Sequence, residues 1–76
     1  WNLEDSLNLA YDVNVKYKID AQRALIEVDK ITKDELMDRD YVVDRLATHV
    51  EAQTDISYNT ALNEIYGIIA KNLFLS

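Results

Sequence analysis

Val13-Asn14-Val15-Lys16-Tyr17-Lys18-Ile19 alternates apolar and polar side chains along its whole length, the pattern of a half-buried strand. A strand here makes the fold mixed, whereas a helix end followed by a turn leaves it all-α. The rest of the chain decides between them. No second segment offers a convincing partner strand, and an isolated strand leaves its backbone groups unpaired. All-β folds draw most of their turns from Gly and Pro, and the 76 residues contain one Gly (Gly67) and no Pro. The stretch is therefore read as the end of a helix plus a connection.

Working outward, Leu9, Ala10 and Val13 precede the stretch at helical spacing, and Asp20 follows it as an N-cap, with Ile19 able to staple onto Ala24. A matching arrangement lies 37 positions further on. Leu9 falls on Leu46, Ala10 on Ala47, Val13 on Val50, Ile19 on Ile56, Ala24 on Ala61 and Leu25 on Leu62. Glu27, Ile31 and Leu36 fall on Glu64, Ile68 and Leu73. Two amphipathic helices of like spacing generate some such matches by themselves, so shared patterning and a tandem repeat, over 3–36 and 40–73, both account for them. In the second half Ser57 is the cap and Ile56 staples onto Ala61.

The spacing predicts helices near 3–16, 20–32, 35–52 and 57–74, the third starting at the Thr32-Lys33-Asp34-Glu35 capping box or only at Asp40. The expected architecture is all-α: one domain over 1–76, a small four-helix bundle built from two similar helical hairpins.

Composition excludes several chemistries. The absence of Cys removes disulfides and thiolate metal sites, and one His (His49) cannot build a zinc centre. His49 has Arg45 four residues before it rather than an orienting acid, so it reads as a boundary residue and not a general base. Gly67 stands alone, which excludes a phosphate loop. No catalytic, metal or cofactor set emerges, and the chain reads as a non-enzyme with no cofactor. About half of the residues are apolar (49%), too many for a disordered chain of this charge. No stretch reads as a signal peptide, and Ile65–Leu75, the most apolar run, is far short of the roughly 20 residues that span a bilayer. A cytoplasmic location is the expectation.

Asp12-Val13-Asn14 followed by Lys18-Ile19-Asp20 looks like part of an EF-hand calcium loop. Tyr17 stands where the family's turn Gly belongs and Arg23 where its closing Glu belongs, so calcium binding is not expected. Leu46, Val50, Ile56-Ser57, Ala61, Ile65 and Ile68-Ile69 look like the N-terminal helical hairpin of the bacterial histone-like family. That resemblance implies two interlocked hairpins; the chain stops where the family's DNA-binding arms begin, so no site residue is carried over.

Fourteen acidic residues against eight basic ones give a net charge of −6, which disfavours nucleic acid as a partner. The expected function is a small acidic, non-catalytic protein-interaction module. Its richness in Asn, Asp, Ile and Tyr suits an accessory or regulatory protein of an AT-rich bacterium or phage. Tyr66, Phe74 and Leu75 fall off the apolar stripe of the last helix and form the candidate surface for a protein partner or for self-association through that helix. The alternative is an accessory component of a nucleic-acid machine, touching its substrate through a basic stripe of Lys16, Lys18, Arg23, Lys30 and Lys33.

Overall fold

The computed structural model describes residues 3–28 and 38–75, with side chains for 4–27 and 38–71. Helix α1 spans Leu3–Tyr17, with Glu4 and Asp5 in its first turn and Lys16 in its last, each charge placed where the helix dipole favours it. Leu9, Ala10 and Val13 are buried, with Ser6 one turn before them, which is the inward stripe of a 3.6-residue period. Val15 is 60% exposed. The helical phase has overridden the alternating one, and the described residues contain no strand.

The end of α1 shows why the segment stops. Lys18 adopts φ 57°, and the Ile19 N–H donates to the Asn14 carbonyl at 3.2 Å. This is the six-residue closing bond of a Schellman motif, with a lysine at the left-handed position that usually holds Gly. The next helix, α2 (Ala21–Arg23), runs on as one π-helical turn, Ala24–Val28. Asp20 caps it, its Oδ1 accepting the Arg23 N–H at 3.3 Å. A second acceptor comes from α1: Asn14 Oδ1 takes the Ala21 and Gln22 N–H groups at 2.6 and 3.1 Å. The EF-hand-like stretch is thus helical through Tyr17, and its Asn14 oxygen is committed to a helix end.

Helix α3 spans Arg39–Gln53, with Asp38 as the N-cap. The start is one residue from the Asp40 alternative, while the Thr32–Glu35 capping box lies outside the described residues. Thr54 closes α3, its N–H and its hydroxyl both donating to the Val50 carbonyl, at 2.9 and 2.6 Å. Helix α4 spans Tyr58–Leu75. Ser57 caps it, the hydroxyl accepting the Thr60 N–H at 3.3 Å and the carbonyl accepting that of Ala61 at 2.9 Å.

The helices form a four-helix arrangement in which α3 and α4 share the most extensive contact. One apolar cluster joins all four: Leu9, Ala10 and Val13 from α1, Ala21 and Leu25 from the α2 segment, five residues of α3, and Ala61, Ile65 and Ile69 from α4. Each fully buried Val, Leu or Ile contributes about 1.5–3 kcal/mol. Tyr17, Ile19, Ile56, Leu62 and Ile68 close its margins. Positions 37 apart are used alike: Leu9 and Leu46, Ala10 and Ala47, Val13 and Val50, and Ala24 and Ala61 are all buried. Ser6 takes the place that Val43 takes in α3, and no buried side-chain polar atom among the described residues lacks a partner.

Candidate functional site

Three phenols tie helices together through carboxylates. The Tyr17 hydroxyl donates to Glu64, joining α1 to α4, and the Tyr58 hydroxyl donates to Asp44, joining α4 to α3. The Tyr66 hydroxyl donates to Asp40 Oδ1 at 3.2 Å. In an acidic chain with few cations, a phenol is a donor that needs no counter-charge. Each phenol is correspondingly harder to ionise. For Tyr17 and Tyr66 burial contributes most and the bonded carboxylate next, whereas for Tyr58 the bond to Asp44 leads.

Beside Tyr66, one side of the outward face of α4 carries uncharged residues, and the exposed Lys71 borders it one turn beyond Gly67. Asn59, Asn63, Tyr66, Gly67 and Ala70 are all exposed and recur three or four residues apart, along one side of the helix. The sequence reading singled out only Tyr66 from this group, because Asn, Gly and Ala give no hydropathy signal. Tyr66 is 38% exposed, its ring accessible while its hydroxyl is held by Asp40. Gly67 is the more informative neighbour. A Cβ built on it meets nothing within 4 Å, so no packing constraint among the described residues requires glycine in the middle of this helix. Helix α4 continues through Leu75, while the side chains of Phe74 and Leu75, the other two residues of the expected partner surface, lie outside the described residues.

Of the basic stripe, Lys16, Lys18 and Arg23 are exposed around the α1–α2 connection. Arg23 is committed to an ion pair with Glu27 at 2.7 Å, and the Lys16 ammonium stands 5.8 Å from the Tyr17 ring centre. Lys30 and Lys33 lie outside the described residues. His49 is half-buried on α3. No group of three or more His, Asp or Glu residues able to hold a metal ion occurs among the described residues. An open groove between α1 and α2 is lined by Leu7, Gln22, Arg23, Ile26 and Glu27; its walls are mainly apolar, and Arg23 and Glu27 satisfy each other. No helix among the described residues is long and apolar enough to cross a membrane.

No known protein family, curated protein or solved structure matches the chain. The likeness to the histone-like hairpin therefore rests on the residues of α3, α4 and their connection alone.

Proposed function

We propose that the chain is a non-catalytic, accessory or regulatory protein-interaction module whose partner packs on the outward face of α4. The observation that carries this reading is Gly67. Glycine inside a helix costs roughly 0.5–1 kcal/mol relative to alanine, and nothing among the described residues occupies the space its missing side chain leaves. Close approach of another backbone is a use for that space. The surroundings support the same use. Asn63, Tyr66 and Ala70 lie on one side of Gly67, and Glu64 and Lys71 border it on the other. An accessible tyrosine with a polar rim is a common anchor at an interface centre.

The face extends along α4 toward Phe74 and Leu75. Phe74→Asp with Leu75→Asp tests that extension, read by thermal melting and by capture of partners on the immobilised chain. Unchanged melting with lost capture supports the reading. A large fall in melting temperature with capture intact makes the end of α4 part of the core and moves the partner surface elsewhere.

A further inference from the structure

A second face, on α1, carries an argument of its own that does not depend on the reading of α4. The most exposed large apolar side chains among the described residues are Tyr11 and Val15, each 60% exposed, followed by Ile26 at 49%. Tyr11 and Val15 continue a row that begins at the half-buried Leu7. At about 100° per residue, Glu4, Leu7, Tyr11 and Val15 span about 80° of the circumference of α1, and Lys18 follows directly on its last residue, Tyr17, in the left-handed turn. Glu4 and Lys18 are both exposed. The row is symmetric about its middle residue: Leu7 and Val15 lie four positions either side of Tyr11, Glu4 and Lys18 seven either side.

From this symmetry we infer that the face is the interface of a two-fold homodimer, in which α1 packs antiparallel against α1 of a second copy about an axis through Tyr11. A two-fold interface must be self-complementary, and this row is. Turned end for end, it sets Glu4 against Lys18 of the other copy at both ends and Leu7 against Val15 twice. The two Tyr11 rings meet at the axis, an arrangement aromatic pairs favour when offset. Asn8 comes opposite Asn14, and like charges do not face each other along the row. The groove beside Leu7, lined by Gln22 and Ile26, receives the Val15 that arrives opposite Leu7. Any partner of another sequence would have to reproduce this order of acid, apolar, aromatic, apolar and base in reverse; a second copy does so by identity.

Charge reversal on the whole chain, followed by sedimentation equilibrium, tests the inference. The wild-type chain is expected to dimerise with rising concentration. Glu4→Lys sets two ammonium groups against each other at both ends of the dimer, and Lys18→Glu sets two carboxylates against each other there. Each variant alone is expected to dimerise about tenfold or more weakly. An equimolar mixture of the two variants can form a heterodimer. One of its ends joins the two substituted positions and the other joins the two unsubstituted ones, so opposite charges meet at both. The mixture is therefore expected to recover dimerisation. Circular dichroism of each variant confirms that it is folded, and the recovery in the mixture cannot come from a damaged fold. A wild-type chain that stays monomeric into the hundreds of micromolar overturns the inference. So does dimerisation indifferent to both reversals, or a mixture as weak as either variant alone. Phe74→Asp with Leu75→Asp leaves this dimer intact, so failure here and failure of the α4 reading are separate results.

Discussion

Asn14, one turn from the end of α1, accepts the backbone N–H of Ala21 through Oδ1 at 2.6 Å. The equivalent bond recurs 37 residues on, where Glu51 Oε2 accepts the Tyr58 N–H at 3.1 Å. In each hairpin a side chain of the first helix supplies an acceptor to the otherwise unpaired first turn of the second. It thereby fixes the turn between them as well as the helix start. Asn14 also takes the Gln22 N–H and is half-buried, whereas Glu51 is exposed. Asn14→Ala is expected to cost about 1–2 kcal/mol in urea denaturation and Glu51→Ala less than half of that. Equal costs would mean that burial of the acceptor does not matter.

Lys18 holds a left-handed conformation, φ 57°, that a side chain makes unfavourable by roughly 1–2 kcal/mol. Lys18→Gly removes that strain while keeping the Schellman closure from Ile19 to Asn14. The expected gain is about 1 kcal/mol, or a rise of about 4–8 °C in melting temperature for a chain of this size. No gain, or a loss, would show that the lysine side chain contributes at least as much as its backbone costs.

Ile65 is fully buried, while Ile68 lies at the margin of the apolar cluster. Ile65→Ala should cost about 2–5 kcal/mol, the usual loss at a packed site, and Ile68→Ala only part of that. In so small a chain the first loss is a large share of the total stability. Similar costs at the two positions would place the centre of the core nearer the outer surface of α4 than the burial pattern does.

The phenol–carboxylate bonds make stability depend on alkaline pH. Tyr17, Tyr58 and Tyr66 are each harder to ionise folded than unfolded. Their contribution is therefore fully present below the unfolded value near pH 10 and is lost as pH climbs through the higher folded values. An ultraviolet titration should show part of the tyrosine signal displaced above the unfolded range, and the chain should unfold more readily in urea as pH rises past about 10. In Glu64→Gln some of the displaced signal moves down in pH. A native titration that superimposes on that of the urea-unfolded chain would contradict these bonds.

What the sequence made legible follows from how local each signal is. Asp20 and Ser57 act on backbone groups three residues away, and the pattern of residue types names them as caps. Asn14 and Glu51 act across a turn on groups seven residues away, so no capping pattern points to them. The phenol–carboxylate bonds join helices and depend on packing that composition does not encode. The π-helical turn at Ala24–Val28 was equally hidden, since it buries Leu25 and exposes Ile26 without a residue type that announces it. For the candidate surface, Tyr66 stood out as an aromatic off the stripe. The row of Asn59, Asn63, Gly67 and Ala70 beside it became visible only once the exposed residues of α4 were known.

Gly67 tests the central proposal most directly, because its two consequences point in opposite directions. Gly67→Ala should raise the melting temperature, since alanine favours the helix by about 0.5–1 kcal/mol and its Cβ meets nothing among the described residues. Gly67→Leu, carried on the same face, should be no less stable than the wild type and yet capture its partner from the native host at least about tenfold more weakly, a loss of about 1.4 kcal/mol or more of binding. Capture by Gly67→Leu equal to that of the wild type, with stability likewise retained, would contradict the account, because the open side of α4 would then be solvent surface and nothing more.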